Sequence, residues 1–381
     1  MVAESPTTYE AAAELLRSSA ERRLRVRMRG GATKLSWGGA VADPDVELST
    51  GGLDRIVEHN AGDLTAVLQA GLPIATAQRV FAEAGQRLSL DPPSGDGATV
   101  GGLVSSGDSG PLRHRYGAPR DLVIGVTAAL GEGTVARAGG KVIKNVAGYD
   151  LAKLFSGSLG TLGAIVEVAV RLHPLPPATA TLTARSDDPS SLAAAAARLA
   201  HASLELEALD VAWEEGSGTV LAGFGGATAA EQATAAGRLL FGSGTEAGVV
   251  TDDAPLWQRQ RDRQRSPDGI ALRISAVPSA LEDVLRAADD VGGALVGRAA
   301  LGLHWLTLAA ADPAAAAATV ARLRSSLAPA PCVVLDAPPA VREAVDVWGP
   351  IDEPTLALMR RVKRRFDPRA VCNPGCFVGG I

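Results

Sequence analysis

A run at residues 24–28 alternates Leu, Val and Met with Arg and ends abruptly in Arg29-Gly30-Gly31-Ala32-Thr33-Lys34. Small residues in a tight turn expose successive backbone N–H groups, a concavity suited to an anion. The Thr33 hydroxyl and the Lys34 ammonium add donors at the same place. A second segment, 91–121, sets Ala98-Thr99-Val100-Gly101-Gly102 and Ser105-Ser106-Gly107-Asp108-Ser109-Gly110 ahead of Tyr116. Its hydroxyls and amides can bind a diphosphate and the edge of a flat ring. The third segment, 139–171, carries Lys144-Asn145, then Gly157-Ser158, Gly160-Thr161, Gly163 and Ile165. Glycine at 157, 160 and 163 lets backbone approach a flat or phosphorylated ligand where a Cβ would collide.

Each segment alone has a plainer explanation. Gly-Gly turns after strands are common, the second segment has the composition of a flexible linker, and Lys144 and Asn145 could cap a helix and decorate a surface. Against the linker stands its bracketing by Val100, Leu103, Tyr116 and a following strand.

The elements that must position these segments are legible in the periodicity. A capped helix starts near Thr8 and runs to about Ser18; strands are expected at 46–49, 65–70, 87–90, 122–130 and 162–171. A helix at 73–84 stops at Gly85. Residues 95–110 show neither period and read as a long functional loop. Prolines at 174–177 mark a domain boundary. Beyond it, strands at 180–184, 219–224, 270–277, 294–310 and 332–335 alternate with helices at 191–202, 229–240, 279–291 (capped by Ser279) and 313–327. This is an α+β grammar, one sheet with helices on one face. A basic helix, 354–366, leads to Asn373-Pro374-Gly375. The expected division is 1–176, 177–345 and 346–381, the last returning to the first domain.

Composition narrows the classes. The chain has 381 residues, 46% hydrophobic and 21% charged, enough for two ordinary globular domains. A formal net charge of −5 gives no reason to expect nucleic acid. The basic runs at 259–265 and 360–365 read as solvated helix faces, with docking as the alternative. Residues 1–8 lack the apolar core of a secretory leader, and no apolar run approaches the ~20 residues of a membrane helix. Three cysteines do not make a disulfide framework, so a cytoplasmic location is expected.

Taken in order, the three segments resemble the FAD-binding region of the vanillyl-alcohol-oxidase-type, or PCMH-type, flavoproteins. The resemblance rests on the Gly-Gly-Ala-Thr turn, on Tyr-Gly-X-X-Arg-Asp at 116–121, on KNVAGYDLAKLFSGSLGTLG at 144–163, and on Asn373-Pro374-Gly375. It implies a PCMH-type FAD-binding domain of two α+β subdomains, with an α+β cap of antiparallel sheet plus helices. It also implies cofactor contacts at Arg29, Gly30, Gly31, Ala32, Thr33, Lys34, Ala98, Thr99, Gly101, Gly102, Ser105, Gly107, Ser109, Gly110, Tyr116, Lys144, Asn145, Gly157, Ser158, Gly160, Thr161, Gly163, Ile165 and Asn373. Relatives with covalent flavin often carry a His in the first loop; residues 30–37 contain no His or Cys, so non-covalent FAD is expected.

D-2-hydroxyacid dehydrogenases of the superfamily often carry Gly-His-X-Gly-Asp-Gly-Asn-X-His, whose histidines bind a metal. The look-alike at 297–305 has Arg298 at the first His and Trp305 at the last, so no metal site is expected. His304 reads as a satisfied core histidine, and Arg298 and Arg113 as candidates for binding a substrate anion. Cys372 and Cys376 are too few for an iron–sulfur cluster. In length and motifs the chain resembles the FAD-binding subunit of bacterial glycolate oxidase (glycolate dehydrogenase) complexes. That resemblance implies glycolate oxidation to glyoxylate, with D-lactate as an alternative. The implied partners are a larger FAD/metal hydroxyacid dehydrogenase subunit and an iron–sulfur subunit, which would bring peripheral attachment to the inner face of the membrane. A self-sufficient oxidoreductase and a non-catalytic flavin scaffold are the competing readings.

Overall fold

The computed structural model describes residues 1–39, 43–93, 97–141, 150–309 and 312–381. Lys144 and Asn145 lie outside them. Two compact units emerge. The first comprises Met1–Ser109, Gly117–Leu175 and Pro350–Ile381; the second comprises Gly110–Tyr116 and Pro176–Gly349.

In the first unit, Thr8 caps the helix Tyr9–Glu21, accepting from the Ala11 amide at 3.1 Å. That helix packs Ala12, Ala13 and Leu16 against Val26, Leu48, Ala129 and Val166. Strands Val2–Glu4, Val46–Ser49 and Val26–Arg29 form a parallel sheet with Val46–Ser49 central. An antiparallel sheet orders Ile56–Asn60, Thr65–Gln69, Ala164–Arg171, Val123–Ala129 and Val135–Gly139. Its middle strand, Ala164–Arg171, is buried at every position but Glu167 and Arg171. A strand covered on both faces must be almost continuously apolar, and this one is.

The expected loop at 95–110 is a correction. Val100–Ser106 forms a helix, its N-terminus capped by Thr99, whose hydroxyl accepts from Gly102 N at 3.4 Å. Gly107 ends it at φ 65°, the left-handed geometry that suits glycine. Two glycines and two serines hide the helical period, but Val100, Leu103 and Val104 are all buried, and packing overrides weak propensity.

The second unit is built on eight antiparallel strands, from Glu246–Val250 at one edge to Cys332–Asp336 at the other. Helices Pro189–Ala200, Ala229–Leu239, Leu281–Asp290 and Pro313–Ser326 share one core with the sheet residues Leu182, Val220, Ala222 and Leu272. The helix Ala254–Asp262 lies on the opposite face, where Trp257 meets Gly223 and donates to Thr181 at 2.8 Å. Both faces are therefore used, unequally. The strand expected at 294–310 is two strands, Ala294–Arg298 and Leu303–Leu308, folded back at Gly302 (φ 63°). Ser279 is not a cap: it sits in the 3-10 turn Pro278–Ala280 that precedes Leu281–Asp290.

Among the described residues, no helix is long and apolar enough to cross a membrane.

Candidate functional site

Within the first unit the three glycine-bearing segments converge on one cleft. Arg29, Gly30, Gly31, Ala32, Thr33 and Lys34 line it from the turn after Val26–Arg29. Thr99, Gly101, Gly102 and Ser105 line it from the helix Val100–Ser106; Gly160, Gly163, Ile165 and Asn373 complete the expected set there. Arg27, Met28, Leu35, Trp37, Thr50, Ser106, Leu159, Ala164 and Cys376 also line it and were not anticipated. Arg27 and Met28 carried a faint signal, since their strand runs straight into the Gly-Gly turn. Leu159 carried none, because its left-handed φ of 51° is unusual for leucine.

The remaining expected residues are placed elsewhere. The carbonyl of Ala98 accepts from Ile74 N at 2.9 Å, so Ala98 splices segments together. Gly107 packs beside Gly157, where a Cβ would come 3.2 Å from the Gly157 Cα. The hydroxyls of Ser158 and Thr161 are both buried and donate to carbonyls of Phe155 and Ser158. Ser109 N donates to Asp108 at 2.9 Å. Gly110 and Tyr116 fall in the second unit, where Gly110 O accepts from Arg298 and the Tyr116 hydroxyl donates to Glu207 at 2.9 Å.

The glycines serve a second purpose besides ligand access. A Cβ on Gly30 would lie 2.2 Å from the Thr99 hydroxyl, and one on Gly31 would lie 1.7 Å from Gly97 O. A Cβ on Gly101 would lie 2.5 Å from that of Ala70. The segments stack backbone on backbone, and any side chain there would wedge them apart.

The cleft suits an anionic dinucleotide. The amides of Gly31 and Ala32 donate no hydrogen bond to the described protein, and Ala32 is held at φ 60°. Unpaired backbone donors in a concave turn are an anion nest. Lys34 is less available than expected, with its ammonium 3.2 Å from the buried Asp108 carboxylate and 5.6 Å from the Trp37 ring centre. Positive charge at the cleft comes instead from Arg27 and Arg29, which share Glu47 at 2.6 and 3.0 Å. Burial pushes the Glu47 carboxyl up, but the hydrogen bonds from both arginines outweigh it and leave the group below its usual range. Two arginines against one carboxylate leave a net positive wall.

The C-terminal segment is pinned to the cleft wall. Lys363 belongs to the run expected to be a solvated face, yet it is buried. Its ammonium donates to Thr161 O (2.7 Å), Asp367 Oδ2 (2.7 Å) and Cys372 O (2.8 Å). Asn373 accepts from Met28 N at 2.8 Å and donates through Nδ2 to Leu159 O at 2.6 Å.

Comparison with known proteins bears on this geometry. Residues 2–139 match the FAD binding domain family, and residues 350–376 match the C-terminal domain of FAD linked oxidases. A solved structure of alkyldihydroxyacetonephosphate synthase superposes with a TM-score of 0.71 over 98% of this chain and 76% of that one, at 14% identity. The fold is that of the PCMH-type FAD-binding proteins. Its cofactor is FAD.

The chain is also 34% identical over 180 residues to glycolate oxidase subunit GlcD of Bacillus subtilis, covering 47% of this chain and 38% of that one. It is 41% identical over 128 residues to glycolate oxidase subunit GlcE of Escherichia coli (33% and 37%). To D-2-hydroxyglutarate dehydrogenase of Xanthomonas citri pv. viticola it is 28% identical over an alignment of 416 residues (97% and 87%). The matches to the first two thus span under two fifths of each relative's length.

In the second unit, two expectations change. Arg298 is not available to an anion: it is fully buried and donates to Asp210 (2.8 Å), Gln264 (2.6 Å) and Gly110 O (3.1 Å), with Trp305 beneath it at 4.7 Å. His304 is a core residue but not a satisfied one, since neither ring nitrogen has a hydrogen-bond partner. Burial, reinforced by the charge of Arg298, pushes its pKa down to about 4. Among the described residues, no group of three or more His, Cys, Asp and Glu could hold a metal ion.

Proposed function

We propose that this chain is an FAD-binding subunit of a 2-hydroxyacid-oxidising complex, with glycolate oxidised to glyoxylate and electrons leaving through the flavin to an iron–sulfur partner. The observation that carries the reading is the cleft whose unpaired Gly31 and Ala32 amides and Arg27/Arg29 wall match the diphosphate of FAD. The matches to two glycolate oxidase subunits support the substrate class. The cofactor-contact residues are those that line the cleft. FAD is held non-covalently, because the 30–37 loop offers no His or Cys.

Bound FAD supplies an acceptor for a hydride and can release electrons singly. The chain's own residues do the rest. The 30–32 amides bind the diphosphate, the Gly160–Ile165 turn presents backbone to the ring system, and buried Ala164 and Ile165, which line the cleft, exclude water beside it. Oxidation removes a hydride from the substrate's carbinol carbon and a proton from its hydroxyl. With Arg298 saturated inside its own unit, no side chain of that network is free to bind the carboxylate. The larger subunit would therefore hold the hydroxyacid, and this chain would contribute flavin and an interface.

A second reading is a self-sufficient oxidoreductase acting on another alcohol or sugar, favoured by the end-to-end alignment with a dehydrogenase. Copurification from the native source separates the two. A larger homologous flavoprotein and an iron–sulfur protein support the complex, whereas a lone yellow chain that reduces a dye with a small alcohol defeats it.

A further inference from the structure

We propose that Lys363 and Asn373 are positioning residues for the cofactor, turning the backbone at Gly160 so that its amide is presented as a hydrogen-bond donor to bound FAD. The inference rests on the placement of FAD in this cleft proposed above.

The Leu159 carbonyl accepts from Asn373 Nδ2 at 2.6 Å, and the Leu159–Gly160 peptide bond is trans. In a trans peptide the N–H points opposite to the C=O. The Gly160 amide is therefore directed away from Asn373. It donates no hydrogen bond to the described protein, although Gly160 is buried and lines the cleft. A buried backbone N–H without an acceptor is rare and needs a partner from outside the chain.

One residue further on, the Thr161 carbonyl accepts from Lys363 Nζ at 2.7 Å. Both carbonyls flanking Gly160 are thus held by side chains of the C-terminal segment. The turn needs holding, since Leu159 and Gly160 have φ 51° and 72°, and a left-handed leucine is strained. The holders are themselves fixed. Asn373 accepts from Met28 N and donates from its own N to Val26 O at 2.9 Å. Lys363 spends its other two donors on Asp367 and Cys372.

The test uses the full chain labelled with 15N-glycine, flavin-free and FAD-saturated. Hydrogen exchange at the Gly160 amide should slow at least tenfold when FAD binds. Asn373→Ala should weaken FAD about tenfold, the worth of one hydrogen bond. It should also shift the visible absorption of the bound flavin, which a purely structural role would leave unchanged. Uptake of FAD with Gly160 exchanging as before overturns the proposal, as does an Asn373→Ala chain with wild-type affinity and spectrum. If that variant does not fold, the wild-type exchange measurement decides alone. A chain that takes up no FAD overturns both this proposal and the reading beneath it.

Discussion

The guanidinium of Arg298 lies 2.8 Å from the carboxylate of Asp210, and neither side chain has any exposed surface. Burial pushes Asp210 up to about 6, while Arg298 pulls it the other way. Gln260 also donates to Asp210 at 3.1 Å, and Gln264 accepts from Arg298. The pair is thus the charged centre of the second unit.

Removing one partner should cost far more than removing both. Arg298→Met leaves a buried carboxylate uncompensated and should destabilise by about 3–5 kcal/mol. The double variant Arg298→Met/Asp210→Leu should recover most of that loss. Urea midpoints of the three proteins check this, and equal losses in the single and double variants would contradict it.

His304 predicts a pH dependence. Its folded pKa of about 4 lies below the ordinary 6.5, so the unfolded chain takes up the proton first. The stability it contributes is present above pH ~6.5 and is lost as pH falls toward ~4, by roughly 3 kcal/mol. Asp210 runs oppositely: with its folded pKa raised to about 6, its contribution is lost as pH rises from ~4 to ~6. In the wild type the two slopes offset each other. His304→Leu should expose the Asp210 slope, so that stability falls as pH rises through that window. Parallel stability profiles for variant and wild type would refute the assignment.

Gly160→Val should expel FAD. A Cβ there would lie 2.9 Å from Asn373 Nδ2 and 3.1 Å from the Met28 side chain, at a φ of 72° that valine resists. The expected result is a folded, colourless chain. Retained flavin stoichiometry would remove Gly160 from the site.

Acid precipitation should release all flavin into the supernatant. The cleft does contain a thiol, Cys376, whose Sγ lies 3.6 Å from Trp37 O. Colour left in the pellet, and lost in Cys376→Ser, would show a covalent link that the loop sequence gave no reason to expect.

Much of the fold was legible because its determinants are local. Thr8 caps the first helix, Gly85 follows the helix Ile74–Glu83, and Val46–Ser49 is a strand where its strand-like pattern predicts one. Local signals failed where tertiary packing outweighed them. Val100–Ser106 is helical despite Gly101, Gly102, Ser105 and Ser106, because Val100, Leu103 and Val104 are buried by it, while Gly101 has to be glycine to pass Ala70.

The amino-acid sequence alone determined that three glycine-bearing segments permit close backbone approach and offer hydroxyl donors, since missing side chains and hydroxyls are properties of the residues themselves. Which charges were free was settled only by the fold. Lys363 reaches Thr161 across 202 positions and Arg298 reaches Asp210 across 88, and no periodicity encodes a partner so far along the chain. A charge's role depends on the water it loses and the partner it gains, and both exist only once the chain has closed on itself.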